Sequence, residues 1–116
     1  MSALTTHVLD TMRGAPAAGL QLALWRLDGE GRHLIRECKT NADGRTDAPL
    51  LDGDLPGGQF ELVFRVADYF RAQGVTLPAT PFLADVVVRF GINGTEEHLH
   101  VPLLVSPYGY STYRGS

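Results

Sequence analysis

Turn-forming residues interrupt this chain so often that a long helix has no room to form. Thirteen glycines and seven prolines are spread over 116 residues, and they fall between short apolar segments. Short apolar segments divided by turn residues are typical of an all-β sandwich or barrel. The sequence therefore predicts an all-β fold with seven or eight strands and one short helix.

Alternation of apolar and polar residues locates the strands. In the clearest case, Phe60, Leu62 and Phe64 point to one face of a strand, while Glu61 and Arg65 point to the other. The predicted strands are residues 4–10, 20–27, 33–40, 59–67, 85–92, 96–105 and 110–114. Because the connections are short and parallel strands need long crossovers, we expect antiparallel pairing.

Local turn chemistry predicts how several of these strands are connected. Asp28-Gly29 and Asn93-Gly94 are hairpin signals, because the tightest hairpin turns require positive φ, which glycine and asparagine tolerate. The apolar period changes after residue 67. There, Asp68 can cap a short helix over residues 69–73, and Gly74 can end it.

The composition of the chain excludes several classes of protein and of binding site. We expect one domain spanning residues 1–116, because domains run to about 100–200 residues. The net charge is −3 and the basic residues form no stripe, so neither nucleic acid nor a membrane is an expected partner. Cys38 is the only cysteine, which excludes an intrachain disulfide and a multi-cysteine zinc site. The first residues carry no signal peptide, so we expect a cytoplasmic protein.

The predicted strand over residues 96–105 has an unusual outer face. Its core side carries the aliphatic residues Leu99, Val101, Leu103 and Val105. Its other side carries His98, His100, Pro102 and Leu104. Such a mixed face suits a packed interface with a pocket better than a solvated surface. Proline lacks a backbone N–H, so pairing must be interrupted at residue 102. On the first strand, Thr5, His7 and Leu9 share a similar face.

Each of these polar residues also has an ordinary structural explanation. A single strand histidine more often packs or faces water than catalyses, and Arg45 alone would be a solvated loop residue. His98 and His100 have the spacing to bind one metal ion, with His7 as a third ligand. No cysteine or well-placed carboxylate completes that set, so we expect no metal site.

Four segments in chain order carry a more specific signal. The first is Thr6-His7-Val8-Leu9-Asp10, followed by Arg13-Gly14, and the second is Asn41-Ala42-Asp43-Gly44-Arg45-Thr46. The third begins His98-Leu99-His100-Val101-Pro102 and continues to Thr112, and the last is Tyr113-Arg114-Gly115-Ser116. Together they resemble the signatures and usual ending of the transthyretin-like 5-hydroxyisourate hydrolases, over the whole chain.

This resemblance implies a transthyretin-like antiparallel β-sandwich of two four-stranded sheets with one short helix. It also implies a homotetramer, built as a dimer of dimers, with active sites in the channel where the dimers meet. The faces that carry His7 and the His98/His100 pair would then line this channel.

The resemblance also implies an activity and a set of site residues. The activity is hydrolysis of 5-hydroxyisourate to 2-oxo-4-hydroxy-4-carboxy-5-ureidoimidazoline, on the route from urate to allantoin. The implied catalytic residues are His7, Arg45, His100 and Ser116. The implied substrate-binding residues are His7, Arg45, Tyr113, Arg114 and Gly115. Imidazoles titrate near neutrality and can move protons, whereas a guanidinium offsets developing negative charge. No metal or organic cofactor is implied.

Three other functions remain open on the sequence. A transthyretin-like carrier would bind a small molecule in the channel without catalysis, but would lack the histidine pair and the Tyr-Arg-Gly-Ser ending. A structural or adhesive β-sandwich would use the histidines only for packing, and a metal-binding module would use them as ligands. The sequence also leaves open whether His7 or His100 is the general base.

Overall fold

The computed structural model of the protein describes residues 2–115, and this range contains eleven strands and one helix. The elements are β1 (Ala3–Thr5), β2 (Val8–Asp10), β3 (Ala15–Pro16), β4 (Gln21–Asp28), β5 (Gly31–Lys39), β6 (Leu51–Asp52), β7 (Gly58–Phe64), α1 (Val66–Ala72), β8 (Val86–Ile92), β9 (His98–His100), β10 (Leu103–Ser106) and β11 (Gly109–Thr112). The predicted mostly-β fold with one short helix is confirmed. No helix in this range is long and apolar enough to cross a membrane.

One layer is a four-stranded antiparallel sheet in the order β5-β4-β7-β8. The hairpin between β4 and β5 forms as predicted, with Asp28 paired to Gly31 and a positive φ of 59° at Gly29. The alternation along β7 also holds, because Phe60, Leu62 and Phe64 are completely buried. These rings and aliphatic chains form the central part of the core.

The other layer consists of a three-stranded sheet, β6-β1-β9, and a four-stranded sheet, β11-β10-β2-β3. The backbone joins these two sheets, because β1 is followed directly by β2 and β9 is followed directly by β10. β1 pairs in parallel with β9, and β2 pairs in parallel with β10. Antiparallel pairing throughout is therefore wrong at these two pairs. Strands from opposite ends of the chain lie side by side here, and all the elements between them form the long crossover that parallel strands require.

The segment after β8 turns as predicted but does not form a hairpin. Gly94 has a positive φ of 91°, yet β8 pairs with β7 and β9 pairs with β1 in the other layer. The Glu96 carboxylate accepts the backbone N–H groups of Asn93 and Gly94 at 3.0 Å. The turn residues predict a change of direction, but they do not specify which strand receives the returning chain.

The predicted strands 4–10 and 96–105 are both interrupted, and the two interruptions lie side by side. Residues 6 and 7 separate β1 from β2, and residues 101 and 102 separate β9 from β10. The second break is the one predicted from Pro102. The backbone stays in register across the gap, because Val101 N–H donates to the Thr5 carbonyl and Leu103 N–H donates to the His7 carbonyl, each at 2.9 Å.

The helix α1 begins three residues earlier than predicted. Arg65 rather than Asp68 occupies the N-cap position, and no side chain caps the helix there. Tyr69 and Phe70 are buried, so packing of the apolar face stabilises this short helix more than capping does. Gly74 ends the helix as predicted, with a positive φ of 86°.

A buried polar contact ties this helix to β2. The Tyr69 hydroxyl donates to Asp10 Oδ2 at 2.8 Å, and Arg13 Nε donates to the same oxygen at 3.0 Å. Burial alone would raise the pKa of Asp10, but these hydrogen bonds outweigh burial and lower it. The carboxylate is therefore charged at neutral pH, and it fixes the end of the strand that follows His7.

Candidate active site

Three neighbouring segments of the second layer bring the candidate residues together. The segment of β1 and β2 lies between residues 98–106 on one side and a loop over residues 41–46 on the other. His7 forms an isolated antiparallel bridge with Arg45, and Thr5 is the parallel partner of His100. His7 follows Thr5 by two residues on the same face, and diagonal neighbours of this kind come within reach of long side chains.

The parity predicted for residues 96–105 holds on the core side. Leu99, Val101, Leu103 and Val105 are all buried. On the other side, His98 is exposed and His100 is half-buried. Pro102, which was expected on the interfacial side, is buried within the protomer. The outer face of this strand is therefore smaller than the sequence predicts, because Pro102 is not part of it. His100 is the half-buried histidine on this face.

The loop that carries Arg45 packs tightly against His7. Asn41 organises this loop, because its side-chain oxygen accepts the Asp43 N–H at 2.9 Å and the Arg45 N–H at 3.2 Å. Gly44 has a positive φ of 76°, and a Cβ placed there would lie 2.5 Å from the Val8 carbonyl oxygen. Only glycine fits this conformation and this close approach, so Gly44 allows the arginine to follow directly beside the histidine.

The imidazole of His100 is held on two edges. Its Nδ1 lies 2.9 Å from the Thr5 hydroxyl oxygen. Its Cδ2 edge faces Gly115, where an added Cβ would come within 2.9 Å of Cδ2. The Gly115 N–H donates to the His100 carbonyl at 2.7 Å, which forms a second isolated bridge. Neither of these two contacts involves Nε2, the distal nitrogen of the ring.

A cleft of about 420 Å³ opens beside this ring. It is lined by Thr5, Thr6, Arg45, Thr46, Asp47, Ala48, Pro49, His98 and His100. The cleft combines two imidazoles, a guanidinium, a carboxylate and several hydroxyl groups, so it can bind a small polar molecule and transfer protons to or from it. His7 adjoins this cleft through its pairing with Arg45.

The surroundings of His100 favour its neutral form. Burial of the ring lowers its pKa, and the positive charges of Arg45, His7 and His98 lower it further. A contact with the backbone of Thr5 acts in the opposite direction but does not reverse the shift. A neutral imidazole at neutral pH can accept a proton, which is what a general base requires.

The described residues at the end of the chain do not all lie beside this cleft. Gly115 contacts His100, but Tyr113 and Arg114 line a separate, more apolar cleft with Leu99 and Phe90. Both are exposed in the protomer. Ser116, whose carboxylate was expected to take part, lies outside the described residues.

A second cleft, of about 350 Å³, lies on the first layer. Trp25, Arg32, Cys38 and Arg65 are among the residues that line it. It contains no histidine, and burial raises the pKa of the Cys38 thiol, which disfavours the nucleophilic thiolate. Within residues 2–115, no three His, Cys, Asp or Glu side chains are grouped to hold a metal ion. The cleft beside His100 is therefore the better candidate for proton-transfer chemistry.

Sequence reasoning assigned no role to several residues that line this cleft, among them Thr5 and Asp47. Thr5 was placed on the face of His7 but not assigned a contact with His100, and Asp47 was not considered. The position of Thr5, two residues before His7 in an alternating strand, was the available signal for its exposure to the same site. Nothing in the local sequence predicts its parallel pairing with His100.

The fold agrees with comparisons to known proteins. The family model described as HIUase/Transthyretin matches residues 4–115. The chain belongs to the HIUase/Transthyretin family. Its members include a protein of Rhizobium meliloti (strain 1021) named 5-hydroxyisourate hydrolase 2, which is 60% identical over 114 residues, covering 97% of this chain and 95% of the relative.

Solved structures of the HIUase/Transthyretin fold superpose closely on this chain. A structure of (S)-allantoin synthase has a TM-score of 0.92 at 44% identity, covering 99% of this chain. This chain spans only 44% of that longer protein. Sea bream transthyretin in complex with thyroxine has a TM-score of 0.84 at 26% identity, covering 97% of this chain and 94% of the other. Family membership therefore includes both hydrolases and transthyretin, and the site residues must distinguish them.

Proposed function

We propose that the protein hydrolyses 5-hydroxyisourate to 2-oxo-4-hydroxy-4-carboxy-5-ureidoimidazoline, the step that follows urate oxidation on the route to allantoin. The observation that carries this proposal is the clustering of His7, Arg45 and His100 in one layer. The 60% identity to a relative named 5-hydroxyisourate hydrolase 2 supports it. In this proposal residues 1–116 act as one domain of a cytoplasmic enzyme that needs no nucleic acid, membrane or cofactor.

The reaction requires an activated water, a group that stabilises negative charge, and a proton donor. The water oxygen forms a bond to the C6 carbonyl carbon while an imidazole takes one of the water protons. The N1–C6 bond then breaks, and N1 receives a proton from the second imidazole. One molecule of water is consumed overall, and His7 and His100 exchange a proton to return to their starting states.

Arg45 is the electrostatic partner in this mechanism. Its guanidinium is charged at every relevant pH and presents several N–H donors in a fixed plane. It would bind the ring oxygens of the substrate and offset the charge that develops on the attacked carbonyl. Two hydrogen bonds within the loop support this role because they preorganise it. The Arg45 N–H donates to the Asn41 side-chain oxygen, and the Asn41 N–H donates to the Arg45 carbonyl.

The chain end would complete the substrate site. We assign Tyr113, Arg114 and Gly115 to substrate binding, and the terminal carboxylate of Ser116 to a hydrogen bond with a histidine or the attacking water. The contact of Gly115 with His100 supports this assignment. The exposure of Tyr113 and Arg114 in the protomer leaves both side chains available to a neighbouring subunit.

The proposed assembly is a homotetramer built as a dimer of dimers. Within the described residues, β8 and β11 are edge strands, each with one neighbour. Exposed edges are templates for pairing with another chain. The apolar cleft that Tyr113 and Arg114 line lies beside β8. Pairing of these edges between subunits would cover that cleft and bring the chain end toward the shared channel.

The test is to generate 5-hydroxyisourate with urate oxidase and to follow its absorbance decay with and without this protein. We expect the protein to accelerate the decay in proportion to its concentration, with the rate unchanged by a metal chelator. Decay at the spontaneous rate would contradict the proposal. A carrier of the transthyretin kind would bind a small hydrophobic ligand and leave the decay unchanged, so ligand binding is measured on the same sample.

A further inference from the structure

The hydroxyl group of Thr5 is the one side-chain group within the described residues that hydrogen-bonds the ring of His100. The distance from Oγ1 to Nδ1 is 2.9 Å, across 95 residues of sequence. The two residues are direct partners in the parallel ladder of β1 and β9. The contact is therefore fixed by the register of the sheet and does not depend on a flexible loop.

This contact determines which ring nitrogen can serve as a base. Neutral histidine carries its proton on one nitrogen and a lone pair on the other, and the hydrogen bond to one nitrogen sets the state of the second. Thr5 lies at Nδ1 and Gly115 lies against Cδ2, so Nε2 is the nitrogen left to meet a ligand. If the Thr5 hydroxyl oxygen accepts a hydrogen bond from Nδ1–H, Nε2 holds the lone pair.

The role of His100 as a base requires the tautomer with the proton on Nδ1. The Thr5 hydroxyl oxygen can accept a hydrogen bond from Nδ1–H, and it lies at 2.9 Å, the distance of such a bond. In contrast, within residues 2–115 no side-chain hydrogen bond reaches the ring of His7.

We propose that Thr5 is a positioning residue that holds His100 in the Nδ1–H tautomer, so that Nε2 of His100 is the general base and His7 is the proton donor. This inference rests on the proposed hydrolase function and deepens it. Nε2 takes a water proton as the water oxygen bonds to the carbonyl carbon. Throughout this step, Nδ1–H stays hydrogen-bonded to the Thr5 hydroxyl. Within the part of the chain that the structure describes, the charged or titratable groups around this ring are Arg45, His7, His98 and Asp47.

The decisive comparison is between Thr5→Val, which keeps the shape and removes the hydroxyl, and Thr5→Ser, which keeps the hydroxyl. We expect kcat for 5-hydroxyisourate to fall roughly tenfold in the valine variant with little change in KM, and to recover in the serine variant. Thr11→Val is the matched control, because the Thr11 hydroxyl donates to the Val105 carbonyl and contacts no histidine. Equal kcat in the wild type and Thr5→Val would overturn the proposal.

A second measurement does not depend on turnover. Nitrogen-15 NMR of the wild-type imidazoles, with His100 assigned by its loss in His100→Asn, reports which ring nitrogen carries the proton. We expect Nδ1–H for His100 at neutral pH, and a shift toward Nε2–H in Thr5→Val. A wild-type His100 protonated on Nε2 would overturn the positioning role even in an active enzyme. An inactive wild type with Nδ1–H on His100 would instead contradict the hydrolase function.

Discussion

Gly115 lies so close to His100 that a single methyl group on its Cα would collide with the imidazole. A Cβ at residue 115 would come 2.9 Å from Cδ2 and 3.0 Å from Cβ of the histidine. The two residues also exchange backbone hydrogen bonds, at 2.7 Å and 3.4 Å. The chain end and the proposed base are therefore a single packing unit, in which neither can shift without the other.

Gly115→Ala is expected to displace the ring or to detach the chain end. Because small displacements of a catalytic group are costly, we expect a loss on the order of 10–10² in kcat/KM for 5-hydroxyisourate. Gly109→Ala is the matched control, since a Cβ at residue 109 would meet only the Ser106 hydroxyl, at 3.8 Å. An unchanged kcat/KM in Gly115→Ala would show that this contact does not position His100.

Loss of the His100 imidazole should abolish most of the rate. General-base catalysis contributes about 10²–10⁴ in rate, so we expect a decrease of that order in kcat for His100→Asn. The matched control is His33→Asn, because His33 is exposed on β5 and its ring pairs only with Asp28, at 3.3 Å. Equal losses in both variants would indicate a general effect on the fold.

The pH dependence should follow the lowered pKa of His100. Burial and the charges of Arg45, His7 and His98 lower this pKa, so the base stays neutral to a lower pH than a free imidazole does. We therefore expect the acid limb of kcat/KM for the wild type to lie at lower pH than the titration of a free imidazole. Removing the cation in Arg45→Ala should raise the pKa of His100 and move this acid limb to higher pH.

The matched change, Arg45→Lys, keeps the positive charge and removes the planar donors. We expect it to retain the acid limb of the wild type while losing rate, because lysine cannot reproduce the geometry of the guanidinium. Steady-state kinetics between pH 5 and 9 would measure both effects. Identical acid limbs in Arg45→Ala and Arg45→Lys would contradict a charge effect of Arg45 on His100.

Deletion of residues 113–116 should remove catalysis and leave the sandwich folded. The deletion removes the bridge from Gly115 to His100, whereas the buried core residues all precede it. We expect no acceleration of 5-hydroxyisourate decay and an unchanged β-rich circular dichroism spectrum. Turnover at the wild-type rate would exclude the chain end from the mechanism.

Tyr69→Phe tests a contact that supports the site from a distance. The variant loses the hydroxyl that donates to Asp10 at 2.8 Å and accepts from Arg13 at 3.0 Å. We expect the free energy of unfolding in urea to fall by about 1–2 kcal/mol at pH 7. Tyr110→Phe, at an exposed tyrosine, should change it little.

The same contact gives a pH-dependent stability. The folded-state pKa of Asp10 is lowered, so its contribution is present above the pKa of the unfolded state and is lost as the pH falls through the folded value. The difference between the wild type and Tyr69→Phe should therefore shrink in strong acid. A constant difference from pH 7 to acid would mean that the Asp10 carboxylate is not charged in the folded protein.

The sequence predicts the elements of this fold better than their arrangement. Alternation locates β7 and glycine locates the β4–β5 hairpin, because both signals arise from neighbouring residues. The parallel partners of β1 and β2 escape prediction, because they lie about 95 residues away and no local pattern encodes them. The same limit explains why Asn93-Gly94 was wrongly assigned to a hairpin.

The residues of the candidate site could also be predicted only in part. The sequence motifs select His7, Arg45 and His100, and the structure brings these three segments side by side. The motifs do not select Thr5, because its contact with His100 depends on the pairing of β1 with β9. Tyr113 and Arg114 are chosen by motif as well, but in the protomer they line a different cleft. Their proposed role therefore depends on a neighbouring subunit.

The parallel pairing of β1 with β9 has a consequence for how the protein is made. β1 emerges from the ribosome before its partner β9, because 95 residues separate Thr5 from His100 in the sequence. Until then the edge of β1 is open, and distant pairings of this kind form slowly because the entropy of closing a long loop opposes them. The pairing of Thr5 with His100 therefore cannot form until β9 has been synthesised.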